Sequence, residues 1–72
     1  MSPDKMIHMA NQIAAFFNTQ PGGDGADKVA AHLSDFWEVR MRRQLLAHVD
    51  AGGEGLDPLV VAAADRLRAQ TE

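Results

Sequence analysis

The chain has 72 residues, no cysteine and a net charge of −3. This length has room for one domain, residues 1–72, with a thin core. Without cysteine, neither a disulfide nor a thiolate metal site can reinforce that core. The acidic balance disfavours nucleic acids and anionic membranes as partners. No apolar run reaches the roughly 20 residues of a membrane-spanning helix, and the first residues lack a signal-peptide pattern, so we expect a cytoplasmic protein that buries surface against another subunit.

The first predicted element is a helix that ends near Asn18. Ser2 is placed as its N-cap, Pro3 at its first position and Asp4 in its first turn. Its apolar residues recur at spacings of three and four and cover about half of its circumference, which is more than one core contact requires. They are Met6, Ile7, Met9, Ala10, Ile13, Ala14, Phe16 and Phe17. The surplus predicts a second surface to bury.

The second predicted helix begins between residues 24 and 27, after a loop rich in glycine, and ends near Phe36. Val29, Leu33 and Phe36 lie at spacings of four and three, so we expect all three to face the core. Neither this segment nor any other shows the strict alternation of a strand. The chain is therefore predicted to be all-α.

The third predicted helix, from about Val39 to Asp50, places a charge on its apolar face. Met41 and Leu45 form an apolar ridge, and Arg42 lies about 100° from Met41 and so falls inside this arc, whereas Arg40 points away. A buried guanidinium is costly unless other groups satisfy it. Arg42 therefore caps a neighbouring helix end, pairs with a carboxylate of the domain, or meets a group from a partner.

The fourth predicted helix begins at Pro58, with Asp57 as its N-cap and Leu56 placed to contact Val61. Gly52 or Gly53 supplies the left-handed residue that closes the third helix. The inner face of the fourth helix comprises Leu59, Val60, Ala63, Ala64 and Leu67. The whole chain is predicted to form a small domain of four short helices.

The sequence contains no pattern for a catalytic, cofactor-binding or metal-binding site. His8, His32 and His48 fall on three different predicted helices and match no zinc spacing. There is no nucleophile elbow, phosphate loop or dinucleotide fingerprint. The second and third helices superficially resemble a helix-turn-helix, so a DNA-binding regulator is a minor alternative, although Asp35 and Glu38 partly neutralise the neighbouring arginines.

A partner-binding surface is predicted from the surplus apolar arc of the first helix and from the segment around the only tryptophan. Trp, Met and Arg are enriched at the centres of protein interfaces. The predicted docking residues are Met9, Ile13, Phe16, Trp37, Arg40, Met41 and Arg42. For Trp37 a core position is the alternative, because so short a chain has few other large residues to fill its centre.

Two segments, MANQIAAFF at 9–17 and FWEVRMR at 36–42, together resemble the delta subunit of soluble NAD-dependent molybdenum formate dehydrogenases. The stretches at 45–48 and 55–60 also fit. The resemblance implies a non-catalytic accessory subunit that binds the catalytic alpha subunit, and through it the beta and gamma subunits, and supports assembly or stability. It also implies a cytoplasmic location. The molybdenum bis-molybdopterin guanine dinucleotide (bis-MGD), iron–sulfur clusters, FMN and NAD would then belong to other subunits, and none to this chain.

The resemblance leaves two alternatives open. One is a maturation factor that assists insertion or protection of the molybdenum cofactor, with Arg40 or Arg42 contacting a phosphate of the dinucleotide. The other concerns the isolated chain, which could self-associate to cover its first helix.

Family members often carry proline at the position of Val39, so in this chain the break between the second and third helices depends on packing.

Overall fold

A computed structural model describes residues 2–71, which form four α-helices in chain order. They are α1 (Pro3–Asn18), α2 (Gly25–Phe36), α3 (Val39–Asp50) and α4 (Pro58–Thr71). No strand occurs within these residues. The all-α prediction and the predicted positions of the four helices are confirmed.

Local capping residues start two of the helices. The Ser2 Oγ accepts a hydrogen bond from the backbone N–H of Lys5 at 3.3 Å, at the start of α1. The Asp57 Oδ1 accepts one from the backbone N–H of Leu59 at 2.8 Å, at the start of α4. Each bond satisfies a helix N–H group that has no partner within its own helix. Both N-caps are those that the sequence predicts.

The end of α3 is a glycine turn of the predicted kind. The N–H of Gly53 donates to the carbonyl of His48 at 2.9 Å, and that of Gly52 donates to the carbonyl of Val49 at 3.1 Å. This pair of bonds is the Schellman pattern, in which a residue with positive φ closes the helix. Gly52 and Gly53 have φ values of 123° and 66°, which side chains with a Cβ rarely adopt.

The helices pack around a core in which small residues alternate with a few large ones. The most extensive helix pair is α2 against α4, and alanines on both helices allow their backbones to approach. The core residues are Met6, Ala10, Ala14, Val29, Ala30, Leu33, Trp37, Leu45, Val60, Ala63 and Leu67. Helix α3 contributes only Leu45 to this set, so it is the least embedded of the four.

The break between α2 and α3 is made by two extended residues, Trp37 with ψ 139° and Glu38 with ψ 155°. The two helices do not run together, although Val39 imposes none of the restriction of a proline. Trp37 is buried, with 6% of its surface exposed. We attribute the break to tertiary packing, because the chain leaves the helix at the residue whose side chain enters the core.

The prediction that Phe36 faces the core is wrong. Val29 and Leu33 are fully buried, but Phe36 is 73% exposed. The large side chain that fills the core at this end of α2 is Trp37, which follows the last helical residue. Because Trp37 occupies that space from a non-helical position, Phe36 is left on the surface.

A side-chain clasp holds the loop between α3 and α4 against α1. The Asn11 Nδ2 donates to the carbonyl of Gly55 at 2.9 Å, and its Oδ1 accepts from the backbone N–H of Asp57 at 2.8 Å. The Asn18 Nδ2 adds a longer bond of 3.4 Å to the Asp57 Oδ2. One amide side chain on α1 thus satisfies two backbone groups that lie more than forty residues away in sequence.

Candidate docking groove between α1 and α2

An open apolar groove of about 560 Å³ lies between α1 and the last turns of α2. Its lining residues are Met9, Gln12, Ile13, Phe16, Phe17, His32, Phe36 and Trp37. We call these residues the α1–α2 groove. None of them carries a fixed charge, so the groove suits an apolar ligand surface.

The spacing of the α1 residues explains the shape of the groove. Met9, Ile13 and Phe16 lie at spacings of four and three, so they form one stripe along the helix. Met6, Ala10 and Ala14 form a second stripe, which is buried in the core. The surplus apolar arc predicted for this helix is thus present, and its outer part ends in Phe16, which is 59% exposed.

Four rings form a continuous row along the groove. Phe16 and Phe17 meet edge to face with ring centroids 5.1 Å apart, and Phe17 lies 6.3 Å from the ring of His32. His32 in turn stacks against Phe36 at 4.7 Å, with the two rings inclined by 34°. Aromatic contacts at these separations are favourable. The exposed Phe16 and Phe36 rings are therefore braced from within, which lowers the entropy that a partner must remove on binding.

The structure brings four of the seven predicted docking residues to this groove, namely Met9, Ile13, Phe16 and Trp37. Trp37 is buried beside it, whereas Phe16 projects from it. The other three predicted residues, Arg40, Met41 and Arg42, lie on α3 and do not line the groove. Their role in docking stays a prediction.

Sequence reasoning missed Gln12, Phe17, His32 and Phe36 as docking candidates. Phe17 already belongs to the surplus arc of α1, and so the residue pattern carried a signal for it. Phe36 follows Leu33 by three residues, and this spacing predicts a core position for it. The spacing of the histidines indicates only that its neighbour His32 fits no zinc pattern, and the stacking of His32 on Phe36 depends on the folded chain.

The guanidinium of Arg42 is satisfied in part by the end of α2. Its Nη1 donates to the backbone carbonyl of Ser34 at 3.2 Å and to the Ser34 Oγ at 3.4 Å. Ser34 lies in the last turn of α2, where carbonyl groups lack helical partners and the dipole favours a cation. This is the helix-end cap among the predicted alternatives. The Arg42 Nε, however, is buried and has no hydrogen-bond partner.

The unpaired Nε makes the response of Arg42 to substitution predictable. Arg42→Met keeps most of the apolar stem and removes the unsatisfied donor, so we expect the free energy of unfolding to change by less than about 1 kcal/mol. Arg42→Ala also removes the stem and should destabilise by about 1–2 kcal/mol. Urea denaturation of both variants measures the difference. Equal losses in the two variants would show that the Ser34 cap, not the stem, is what matters.

Within residues 2–71, no three His, Asp or Glu side chains lie close enough together to hold a metal ion. None of the helices in the same range combines the length and apolar composition needed to cross a bilayer. The notable surface feature is instead the α1–α2 groove, with its two exposed phenylalanines.

Fold and groove together define a small all-α domain with an open, braced apolar surface. Comparison with protein families then gives a specific assignment. The family model of the NADH-dependent formate dehydrogenase delta subunit FdsD matches residues 5–64. The chain therefore belongs to this family, as the resemblance of its two segments indicates, and its family associates with a formate dehydrogenase complex. The chain has no significant match among individually curated proteins.

Proposed function

We propose that this chain is a non-catalytic subunit that binds the catalytic alpha subunit of a cytoplasmic formate dehydrogenase and supports its assembly or stability. Through the alpha subunit it would join the beta and gamma subunits. Family membership supports association with such a complex. The observation that carries the docking role is the α1–α2 groove, which leaves Phe16 and Phe36 exposed on a domain with a thin core.

The energetics of the groove favour docking. Full burial of a phenylalanine side chain contributes about 1.5–3 kcal/mol relative to leaving it in water. Phe16 and Phe36 are both more than half exposed, and Met9, Ile13 and Phe17 are only partly buried against the core. A partner that covers the groove would therefore bury five large apolar side chains, three of them held by ring contacts.

In this proposal the redox groups of the enzyme belong to other subunits. Iron–sulfur clusters are held by cysteine thiolates, and this chain has no cysteine. The sequence also contains no nucleotide-binding motif that would support binding of FMN, NAD or bis-MGD by this chain. The contribution of the delta subunit is then surface burial on the alpha subunit.

The test is the affinity of Phe36→Ala and Phe16→Ala for purified alpha subunit, measured by calorimetry. We expect each variant to bind at least about tenfold more weakly, because exposed aromatic anchors dominate interface energies. Phe36 is largely exposed, so its loss should change the free energy of unfolding by only about 0.5 kcal/mol.

Val39→Ala is the matched control, since Val39 is an exposed apolar residue, 46% exposed, that does not line the groove. It should bind as the unmodified chain does. Undiminished binding by both phenylalanine variants would contradict the proposed docking site. Repeating the titration with alpha subunit that lacks its cofactor tests the maturation alternative, which predicts a preference for one of the two forms.

A further inference from the structure

The charge of the chain is distributed unevenly between its two halves. Residues 1–38 contain five Asp or Glu and two Lys, whereas residues 39–72 contain five acidic and five basic residues. The whole net charge of −3 therefore belongs to the half that forms α1 and α2. This is also the half that provides every lining residue of the groove.

Two carboxylates at one end of the groove have no ion-pair partner. Asp24 pairs with Lys28 at 3.6 Å, and Asp27 pairs with Arg66 of α4. Asp35 and Glu38 are exposed and form no ion pair within the described residues. They flank Phe36 and Trp37 in the sequence, so two unpaired negative charges stand beside the end of the groove that these rings form.

In the described part of the chain, nearby basic residues do not neutralise Asp35 and Glu38. Arg40 and Arg43, both on α3, are the exposed basic residues nearest in sequence to this end. Both are exposed, and within the described part of the chain neither pairs with Asp35 or Glu38. The two carboxylates therefore remain available to positive charge on a partner.

We infer that the α1–α2 groove receives an apolar ridge of an α-helix of the alpha subunit, and that Lys or Arg residues beside this ridge pair with Asp35 and Glu38. The inference rests on the proposed function and adds the chemistry of the partner segment. An apolar ridge matches a lining without fixed charge, and flanking bases match its acidic end.

The length of the groove fits a helix. Met9 and Phe16 are seven residues apart on α1, which corresponds to about 10 Å along the helix axis. A docked amphipathic helix typically presents anchors at positions i, i+3 or i+4, and i+7, which span the same distance. Two or three large apolar side chains of the partner would then lie along the row of rings.

The size of a stable interface requires that the partner also cover the surface around the groove, which includes Asp35 and Glu38. Stable complexes use about 20–30 residues and about 800 Å² on each partner. The groove has eight lining residues, and 800 Å² is about a fifth of the 4439 Å² accessible surface of this chain. A partner that covers this much surface around the groove must also cover the exposed residues that adjoin Phe36 and Trp37.

The experiment measures association of purified alpha subunit with Asp35→Lys and Glu38→Lys by surface plasmon resonance, at low and high salt. Each substitution should lower the association rate and the affinity about tenfold at low salt, and the loss should shrink as salt screens the charges. Lysine near the end of α2 suits the helix dipole, so Asp35→Lys should fold normally.

Asp65→Lys is the matched control, because Asp65 is exposed on α4, forms no ion pair within the described residues and undergoes the same change in charge. It should bind within about twofold of the unmodified chain at physiological salt, because Asp65 lies on α4, which provides no lining residue of the groove. If all three lysine variants bind normally while Phe36→Ala binds weakly, the basic flank is wrong and the docking function stands. If Phe36→Ala also binds normally, the docking function itself fails.

Self-association is the remaining occupant to test. Sedimentation of the isolated chain and of Phe36→Ala shows whether the groove is covered by a second copy. The inference would be overturned by a dimer that the Phe36→Ala substitution dissociates but that persists when alpha subunit is added. A monomer, or a dimer that alpha subunit displaces, supports it.

Discussion

Trp37→Ala is expected to remove most of the folding stability of the isolated chain. Trp37 is 6% exposed and belongs to the hydrophobic core, where it packs at the junction of α2 and α3. Truncation of a buried tryptophan to alanine costs about 3–5 kcal/mol. Domains have a total stability of about 5–15 kcal/mol, and one of 72 residues belongs near the lower end of this range.

Far-ultraviolet circular dichroism and urea denaturation measure this effect. Trp37→Phe is the control, because it keeps an aromatic ring in the cavity and should lose less than half as much stability as the alanine variant. The result also separates the two interpretations of Trp37 that the sequence permits. A variant that keeps full helicity and cooperative unfolding, yet fails to bind alpha subunit, would identify Trp37 as a docking anchor and not as a core residue.

Asn11→Ala is expected to destabilise the domain by about 2–3 kcal/mol and to release the loop between α3 and α4. The substitution removes the bonds to Gly55 and Asp57 together and leaves the partly buried N–H of Asp57 without its acceptor. A buried donor that loses its partner costs about 1–3 kcal/mol, in addition to the lost bond to the Gly55 carbonyl. Hydrogen exchange at the Asp57 amide reports this release directly.

Asn18→Ala is the appropriate comparison for Asn11→Ala. Asn18 makes one exposed bond of 3.4 Å to the Asp57 side chain, so its loss should cost less than about 0.5 kcal/mol. If Asn11→Ala is as mild as Asn18→Ala and the Asp57 amide stays protected, the clasp does not hold the loop. Neither substitution removes the N-cap bond that the Asp57 Oδ1 accepts from the Leu59 N–H, so we attribute a difference between the variants to the clasp.

The docking residues show what the periodicity of apolar residues can and cannot predict. The apolar arc of α1 is wider than a single contact requires, and this width alone predicts an uncovered stripe that contains Met9, Ile13 and Phe16. The same reasoning placed Phe36 inside, where the structure shows it exposed. Periodicity predicts which face of a helix is the most apolar. It cannot predict that a residue beyond the end of the helix, here Trp37, fills the core space next to that face.

Arg42 is an intermediate case. Its position inside an apolar arc predicts that some group must satisfy its guanidinium, and a helix end was one of the expected partners. That the partner is Ser34 of α2 follows only from the angle between α2 and α3, which two extended residues create. The unpaired Nε has no signature in the sequence.

The sequence by itself determined the class of fold, the four helices and most of their ends. Capping residues such as Ser2, Asp57 and Gly53 bond to backbone groups only a few residues away, so their effect can be predicted from the local sequence. Its two motif segments also indicated the family. The tertiary structure decided which aromatic ring is buried, Trp37, and which is left in the groove, Phe36. It also decided the clasp of Asn11 across more than forty residues, since contacts between distant segments depend on how the helices pack and not on local propensity.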